Sequence, residues 1–445
     1  MINSKYDLVI RNAHIITHDK EFKADIGIRN KKIESIEEEI EHDIDVDIEI
    51  DAEGLVILPG LIDTHVHLNE PGREEWEGFI TGTKSLAAGG VTTFFDMPLN
   101  SNPPLISPVE YYAKDNHAKK KSLIDYYLWG GVVSGNLQQI KKLSGCGVIG
   151  FKAFLSNSGI SEFTHLSDEE LLKTMFEIAE NNLILALHAE NDVICNTLKE
   201  RYIKEGKTNI RDFVNSRPIA SEEEAIFKII KFAEVTGCKT HILHLSNGDC
   251  IKYISDAKKR GVDITVETCP HYLSLSTEDF ERIGAVAKCA PPLRDMAQIE
   301  KLWGYIEEDE IDIIGSDHSP SPKELKLIDE NTSIFNVWGG ISGAQTTLPI
   351  LLEEGYFQRG ISMQKIVKIS SFNPSTRFGL YPKKGTIEVG SDADIVLIDL
   401  NKEYVLGIDD LEYRHKQSPY LGKRFRGTIE KTISMGKIVW DRSSK

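Results

Sequence analysis

Two histidines, His65 and His67, stand at the end of an apolar run that begins at Leu55 and reads as a buried strand. Residues two apart on a strand point to the same side, so these imidazoles could bind one metal ion together. Such a pair is weak evidence on its own, because surface strands carry His-x-His by chance. The pair therefore predicts a metal site only if the rest of the chain supplies further ligands.

Four further residues with suitable chemistry each stand at the C-terminal end of a short apolar run. They are Lys152, His188, His244 and Asp317. Together with the first two histidines they exceed what a single tetrahedral site with an open position requires. We therefore expect two divalent metal ions per subunit, with zinc as the first choice and cobalt or manganese as alternatives. The expected metal ligands are His65, His67, Lys152, His188, His244 and Asp317.

Lys152 lies in the segment Gly150-Phe-Lys-Ala-Phe154 and is placed to bridge two ions. An ordinary lysine amine, with a pKa of about 10.4, would be protonated and would repel cations. A ligand role therefore requires a carbamylated lysine, N6-carboxylysine, in which carbon dioxide has supplied a carboxylate. The alternative is a buried ion pair between Lys152 and Asp317, and spacing alone does not choose between the two.

Two metal ions about 3.5–4 Å apart can share a hydroxide, while one of them polarises the attacked carbonyl group. The predicted chemistry is therefore hydrolysis. Asp317 is the expected catalytic base, because a carboxylate at such a centre can pass the proton of water to a leaving nitrogen. His318 would point the opposite way on a strand and is expected to have a supporting role. His241 is expected in the core, and His271 could line the pocket.

Eight candidate strands alternate with helical patterns through the middle of the chain. The strands are predicted at 56–63, 91–97, 126–133, 147–154, 183–189, 240–246, 264–270 and 312–317. Capping boxes predict helices that begin at Ser167 and Ser221, and a helix from about Glu75 is expected to end at Gly89. The alternation predicts an α/β fold, a (β/α)8 TIM barrel, with an open sheet as the alternative. Every expected ligand then falls at the C-terminal end of a strand, where such barrels place their active sites.

The two ends of the chain carry a different pattern. Residues 6–40 alternate apolar and polar side chains between turn residues, and residues 387–400 and 428–440 do the same. This alternation is typical of short antiparallel strands, so the two ends are expected to form one small β-sandwich domain. The expected domains are 1–56 together with 385–445 for the β-sandwich, and 57–384 for the TIM barrel.

The composition of the 445 residues excludes several classes of protein. A net charge of -17 argues against nucleic-acid binding, which normally needs a basic stripe, and against docking to acidic membranes, so a small-molecule partner is expected. No apolar run approaches the roughly 20 residues that span a bilayer, and the first residues lack the apolar core of a signal peptide. A cytoplasmic location is therefore expected. The six scattered cysteines, without a Cys-x-x-Cys pair, are expected to be buried thiols.

Several motifs occur together along nearly the whole chain. They are Pro59-Gly-Leu-Ile-Asp-Thr-His-Val-His67, Gly150-Phe-Lys152, His188-Ala-Glu190, His244-Leu-Ser246, Ser316-Asp-His-Ser-Pro320 and Gly390-Ser-Asp-Ala-Asp-Ile-Val396. This combination resembles the cyclic amidohydrolases, and most closely the allantoinases. The resemblance implies a barrel with a small β-sandwich domain, a dinuclear metal centre bridged by carbamylated Lys152, and assembly into a homotetramer. It also implies hydrolytic opening of the allantoin ring to allantoate in purine catabolism.

Fewer residues indicate the substrate. Dihydroorotases carry an arginine directly after the His-x-His-Leu segment to hold a substrate carboxylate, whereas this chain has Asn69. Hydantoinases and dihydropyrimidinases place a tyrosine a few residues after the bridging lysine, where this chain has Ser-Asn-Ser-Gly at 156–159. The expected substrate contacts are Asn69, Cys289 and Gly340. The alternatives are a hydantoinase or dihydropyrimidinase, a dihydroorotase, and a non-catalytic scaffold of the same fold.

Overall fold

The structure is a computed structural model that describes residues 5–43, 45–327 and 332–444. Its strands are β1 (Tyr6–Ile16), β2 (Glu21–Arg29), β3 (Lys32–Glu37), β4 (Val46–Asp51), β5 (Val56–Pro59), β6 (Leu61–Val66), β7 (Val91–Asp96), β8 (Asp125–Leu128), β9 (Gly130–Gly131), β10 (Phe151–Phe154), β11 (Ile184–His188), β12 (Lys239–Ile242), β13 (Ile264–Thr268), β14 (Ile313–Ile314), β15 (Ile395–Val405), β16 (Arg424–Ser434) and β17 (Lys437–Asp441). Its α-helices are α1 (Gly78–Ala88), α2 (Pro108–Lys121), α3 (Ile140–Ser144), α4 (Asp168–Glu180), α5 (Asp192–Lys204), α6 (Ile210–Ser216), α7 (Ile219–Thr236), α8 (Ile251–Lys259), α9 (Thr277–Ile283), α10 (Met296–Glu307), α11 (Thr347–Ile350), α12 (Met363–Val367) and α13 (Asn373–Arg377). Two π-helical segments, Leu351–Phe357 and Lys368–Phe372, continue α11 and α12.

The central part of the chain forms a closed barrel of parallel strands. β6, β7 and β8 pair in one sheet, and β9 to β14 pair in chain order in a second. Only Trp129 separates β8 from β9, so they are two halves of one barrel strand. The barrel closes where Val66 of β6 forms a parallel bridge with His318, just after β14. Within the described residues this gives the eight parallel strands of the predicted TIM barrel, which is confirmed.

Large side chains form the floor of the barrel below the site. Phe378, which follows α13, packs edge-on against Phe95 and Trp129, with ring centroids 5.0 and 5.4 Å apart. Ile62 and Ala186 from two barrel strands belong to the same buried cluster. Each large apolar side chain buried in this way contributes roughly 1.5–3 kcal/mol, so the floor is a stable base for the strand ends above it.

Both ends of the chain contribute to a second, separate sheet. Its strand order is β17-β16-β15-β5-β1-β2-β3, and β4 pairs with β1. Apolar side chains from these strands share one core that includes Ile10, Ile26, Ile57 and Leu397. The burial of these strands alternates only in part, because β5 and much of β1 are buried on both faces. The predicted β domain built from both termini is confirmed.

The predicted strand 56–63 is wrong as a single element. β5 pairs with β1 and β15 in the terminal sheet, whereas β6 belongs to the barrel. Both pieces are fully buried, so the apolar sequence runs through Gly60 without a signal that the chain changes sheets. Because a domain boundary after residue 56 would cut β5, we propose that the first part of the small domain extends to Pro59.

The helix starts are confirmed in one place and wrong in another. The side chain of Ser167 accepts a hydrogen bond from a backbone N–H in the first turn of α4, as a capping box requires. α7 instead begins directly after Pro218, and Ser221 lies inside its first turn. The first N–H groups of a helix have no partner within the helix, so a proline, which has no N–H, is tolerated there. Further along the helix it would remove a hydrogen bond, so Pro218 fixes where α7 starts. α1 begins later than the expected Glu75 and ends before Gly89, as predicted.

A buried lysine joins the barrel to the terminal sheet. Lys384 Nζ lies 2.6 Å from a carboxylate oxygen of Asp125 on β8, and 2.7 and 3.1 Å from those of Asp394 and Asp392, just before β15. Burial alone would lower the pKa of Lys384, but these carboxylates outweigh burial and raise it. The ammonium group therefore stays charged and occupies the centre of this carboxylate cluster.

Two further expectations concern the membrane and the cysteines. Among the described helices, none has both the length and the apolar character needed to span a bilayer. All six cysteines are described and each is a free thiol. Five of them are buried and Cys146 is partly exposed, so the prediction of buried thiols is confirmed for those five.

Candidate metal centre

All six predicted ligands meet in one cavity at the C-terminal ends of the barrel strands. The cavity has a volume of about 320 Å³, and its lining includes His65, His67, Lys152, His188, His244 and Asp317. All six residues are buried. Residues so far apart in sequence would not converge on one cavity by chance, so the convergence indicates a shared chemical role.

Three of the ligands form a tight group at the junction of the first and last barrel strands. Nε2 of His65 and Nε2 of His67 lie 3.3 and 3.5 Å from Oδ1 of Asp317. Two ligand atoms about 2.0–2.1 Å from one zinc ion, at a tetrahedral angle, would be about 3.3 Å apart. The spacing of these three side chains therefore fits one divalent cation.

A second pair of candidate ligand atoms belongs to His188 and His244. Nδ1 of His188 lies 3.0 Å from Nε2 of His244, and the ring of Phe154 stacks on His188 at a centroid distance of 4.7 Å. The ring centroids of His244 and His65 are 5.3 Å apart. Two neighbouring groups of ligand atoms therefore lie side by side in the cavity wall.

Lys152, on β10, faces the same cavity. Its Nζ lies 4.5 Å from the centroid of the Phe154 ring, and no described carboxylate forms an ion pair with it within 4.0 Å. The alternative of an ion pair between Lys152 and Asp317 is therefore wrong. Burial lowers the pKa of Lys152 to about 7, although Asp317 favours the charged form. A substantial share of this amine is therefore neutral at neutral pH.

His244 and Asp317 lie just beyond their strands, because β12 and β14 are shorter than predicted. Both residues have a left-handed backbone, with φ of 38° and 44°. This conformation costs a non-glycine residue on the order of 1–3 kcal/mol. Backbone strain of this kind concentrates at functional sites, so it marks these two residues independently of their chemistry.

Two buried glutamates hold the imidazoles, and neither was predicted to have a role. Oε1 of Glu267 lies 2.9 Å from Nδ1 of His65, and Oε2 of Glu190 lies 2.7 Å from Nε2 of His188. Carboxylates in such positions orient metal-binding histidines and raise their basicity. The sequence signal for Glu190 is its place two residues after His188, and the signal for Glu267 is an acidic residue in an otherwise uncharged strand.

The protonation states suit cation binding. Burial lowers the pKa of His67, His188 and His244, so their imidazoles are neutral and keep a lone pair for a metal ion. Burial alone would raise the pKa of Asp317, but His65 and His67 outweigh it and hold that pKa well below the usual range. Neutral imidazoles and an ionised carboxylate are the donor set that zinc and similar ions take, so these residues fit such an ion.

Of the three predicted substrate contacts, the structure places Gly340 in the cavity lining and the other two outside it. Asn69 has a positive φ of 66° and is fully buried, and its side-chain amide donates to the carbonyl oxygen of Pro320 at 3.3 Å. Cys289 is buried behind the wall that its two chain neighbours help to form. The expectation that the amide of Asn69 contacts the substrate is therefore corrected, whereas a contact through the backbone near Cys289 stays a prediction, because Lys288 and Ala290 line the cavity.

The remaining histidines near the cavity have supporting places. His318 stacks on Tyr413 with ring centroids 5.1 Å apart, which points it away from the ligands as predicted. Nδ1 of His241 lies 2.9 Å from the hydroxyl of Thr265 inside the barrel, so its predicted core position is confirmed. His271 is buried but does not line the cavity, so its suggested place in the pocket is wrong.

Comparison with known proteins agrees with this geometry. The model of the amidohydrolase family matches residues 56–439. The chain belongs to the amidohydrolase family. This amidohydrolase is 44% identical over 434 residues to the allantoinase of Deinococcus radiodurans, covering 98% of this chain and 95% of that one. It is 42% identical over 435 residues to the allantoinase of Solibacter usitatus, covering 98% and 94% of the two chains.

Solved structures of hydantoinases share the fold of this amidohydrolase. The L-hydantoinase (dihydropyrimidinase) from Arthrobacter aurescens aligns with a TM-score of 0.94 at 32% identity, covering 98% of this chain and 96% of that one. A D-hydantoinase aligns with a TM-score of 0.90 at 30% identity, covering 98% and 95%. The likeness therefore includes the terminal sheet as well as the barrel.

Arg217 supports the carboxylate that holds His188, and its loss is expected to destabilise the protein. Its Nε lies 3.0 Å from Oε1 of the buried Glu190. Removing one partner of a buried ion pair costs about 3–5 kcal/mol, so Arg217→Met should lower the free energy of unfolding at pH 7 by about that amount. Urea denaturation measures the change. Arg211→Met is the matched control, because the exposed pair of Arg211 with Glu281 should contribute less than about 1 kcal/mol.

The stability difference between wild type and Arg217→Met should also depend on pH. Burial would raise the pKa of Glu190, but Arg217 and His188 hold it below its ordinary value of 4.5. The native pair therefore contributes stability above that pH and loses it as the pH falls, so the two proteins should begin to converge below about pH 4.5. A difference that stays constant into acid, or a loss no larger than that of Arg211→Met, contradicts this role.

Proposed function

We propose that this amidohydrolase is an allantoinase, which opens the five-membered ring of allantoin with water to give allantoate in purine catabolism. The observation that carries the proposal is 39–44% identity to bacterial allantoinases over 98% of the chain. The complete set of ligand-type residues in the cavity supports an enzyme rather than a non-catalytic scaffold. A hydantoinase or dihydropyrimidinase is the second candidate, because solved structures with those names share the fold.

The proposed enzyme uses two divalent metal ions, and zinc is the expected metal. The proposed ligands are His65, His67 and Asp317 for one ion and His188 and His244 for the other, with Lys152 between them. The distances between the ligand atoms and the neutral state of the imidazoles support this assignment. When bound, such ions polarise a carbonyl oxygen and lower the pKa of water, and cobalt or manganese could supply the same chemistry.

Lys152 is the proposed bridge between the ions, as N6-carboxylysine. Its neutral amine can attack carbon dioxide, so that an N–C bond forms, a proton leaves and the side chain ends in a carboxylate. Lys288 also lines the cavity, and burial lowers its pKa to about 7, but its Nζ donates to the carbonyl oxygen of Ile334 at 2.7 Å. Among the described residues, Lys152 has no such hydrogen bond, which supports it as the modified lysine.

Asp317 is the proposed catalytic base. Its carboxylate lines the cavity, and its Oδ1 accepts a hydrogen bond from the hydroxyl of Ser319 at 3.1 Å. It can take a proton from the attacking water and give it to the ring nitrogen as the amide C–N bond breaks. The hydroxyl of that water remains on the carbonyl carbon, which becomes the carboxylate of allantoate.

Substrate recognition is proposed to use hydrogen bonds with the cavity wall around Gly340. Residues 156–159 also line the cavity and offer serine and asparagine side chains where hydantoinases place a tyrosine. Allantoin is neutral and rich in amide N–H and C=O groups, which such walls can pair. This chemistry differs from that of a dihydroorotase, which must hold a substrate carboxylate.

Two further expectations belong to the proposal, a homotetramer and a cytoplasmic location. The homotetramer rests on the resemblance to the allantoinases. The location rests on the composition of the chain. With a net charge of -17, no nucleic-acid or membrane partner is proposed.

Ring-opening assays on the purified, zinc-loaded protein test the proposed substrate. Allantoin, hydantoin, dihydrouracil and dihydroorotate are compared by kcat/KM. Allantoin should exceed the others by at least about tenfold, because they lack the ureido group that the site is proposed to bind. Asp317→Asn removes the base at constant size and should lower kcat at least about 100-fold. Preferred turnover of hydantoin or dihydrouracil would assign the enzyme to the second candidate function instead.

Native mass spectrometry at neutral pH tests the modification of Lys152. The wild-type subunit should exceed its sequence mass by one carbon dioxide, and Lys152→Met should lack this excess. Lys288→Met is the matched control and should retain it, because Lys288 is equally buried but engaged with backbone carbonyls. If Lys152→Met keeps the added mass, or if wild type never shows it, the carbamylated bridge is wrong.

A further inference from the structure

A buried glutamate below the cavity has a carboxylate that no described lysine or arginine approaches within 4.0 Å. Glu267, on β13, has no exposed surface and does not line the cavity. Its nearest ring contacts are imidazoles, Nδ1 of His65 at 2.9 Å and Nε2 of His241 at 3.6 Å, and the backbone N–H of His244 donates to its Oε1 at 3.4 Å. Burying a carboxylate is costly unless it is paired and hydrogen-bonded, so these contacts must account for its place.

Glu267 is held in one position by three parts of the barrel. Its Oε2 accepts a hydrogen bond from the hydroxyl of Thr64 on β6 at 2.6 Å, and its Oε1 faces His65. Gly315, just after β14, leaves the space that the carboxylate fills, since a Cβ there would lie 2.5 Å from Cδ of Glu267. The first, seventh and eighth barrel strands therefore fix the carboxylate together.

This contact decides which nitrogen of His65 is available to a cation. A carboxylate oxygen accepts hydrogen bonds, so Nδ1 of His65 carries the proton that it donates to Glu267. Nε2 is then the nitrogen left for a cation, and it is the atom that lies 3.3 Å from Oδ1 of Asp317. A carboxylate on Nδ1 also makes Nε2 more basic and so a stronger ligand.

We propose that Glu267 is a positioning residue that sets the affinity of the group His65, His67 and Asp317 for a divalent cation. Glu267 touches neither the cavity nor the reacting atoms, so it acts through the imidazole of His65. The inference rests on the proposed function only in that the same group is proposed to bind metal. It does not depend on which cyclic amide the enzyme opens.

Glu222 offers a matched control. It is a second buried carboxylate, but it pairs with Arg294 at 2.6 Å and accepts a hydrogen bond from the backbone N–H of Ser246 at 3.1 Å. Neither partner is a proposed metal ligand. Neutralising Glu222 therefore disturbs a buried ion pair without touching a ligand, which separates a loss of stability from a loss of metal affinity.

The test is the zinc affinity of the full-length protein, stripped of metal and titrated in competition with a chromogenic chelator. Glu267→Gln should weaken zinc binding by about 10- to 100-fold, the usual effect of losing a carboxylate behind a metal-binding histidine. Gly315→Ala, whose methyl group displaces the carboxylate without removing it, should weaken binding in the same direction. Glu222→Gln should lower the thermal unfolding midpoint and leave zinc affinity unchanged.

Cobalt gives a spectroscopic readout of the same effect. The visible absorption of cobalt-substituted protein reports the ligand field, so it should shift in Glu267→Gln and stay as in wild type in Glu222→Gln. If Glu267→Gln does not fold, zinc affinity and the cobalt spectrum are measured on two other variants, Glu267→Asp and Gly315→Ala. The aspartate retains the charge, but its shorter side chain lies farther from His65.

Wild-type zinc affinity and an unshifted cobalt spectrum in the folded Glu267 variant would overturn the inference. An equal loss of affinity in Glu222→Gln would also overturn it, because the effect would then follow stability rather than the ligand. Neither measurement involves allantoin. A protein that binds zinc through this group but fails to open allantoin would contradict the proposed function while leaving the role of Glu267 measurable.

Discussion

Closure of the barrel between its first and last strands is the contact on which the site depends. The backbone N–H of His67 donates to the carbonyl oxygen of His318 at 2.8 Å, beside the bridge between His318 and Val66. This contact places the imidazoles of His65 on β6 and His67 just after it next to the carboxylate of Asp317 after β14. Candidate ligand atoms from distant parts of the chain are thereby held close together by backbone pairing.

Charge balance at the barrel mouth explains why the cavity favours a cation. The buried carboxylate of Glu190 is neutralised by the guanidinium of Arg217. Asp317 and Glu267 have no such partner among the described residues within 4.0 Å, and they face imidazoles, several of which burial keeps neutral. Imidazoles stabilise both carboxylates but bring no full cationic partner as Arg217 does, so the cavity retains negative charge that a divalent ion between the imidazoles would balance. The same ion would use the lone pairs that those imidazoles keep.

Chemistry and position agreed at each strand end, so the sequence predicted six side chains that do meet in one cavity. It could not divide 56–63 into two strands, because β5 and β6 are both fully buried and hydrophobicity does not report which sheet a strand joins. Two sequence signals for the start of α7 compete, the capping pattern at Ser221 and the proline at 218. The helix begins after Pro218, and no sequence rule states which of the two signals is stronger. Glu267 was missed because its role depends on a side chain brought close only by the closed barrel. Asn69 was expected to face the substrate. Its backbone has a positive φ, and its side chain is buried in the protein rather than exposed to the cavity.

The most direct test of whether the converging side chains bind metal is anomalous diffraction. Crystals of the zinc-loaded protein are measured on both sides of the zinc absorption edge. The account predicts two anomalous peaks in the cavity, one within the group His65, His67 and Asp317 and one beside His188. A fully loaded crystal with no peak in this cavity, or with zinc only at other sites, would contradict the account.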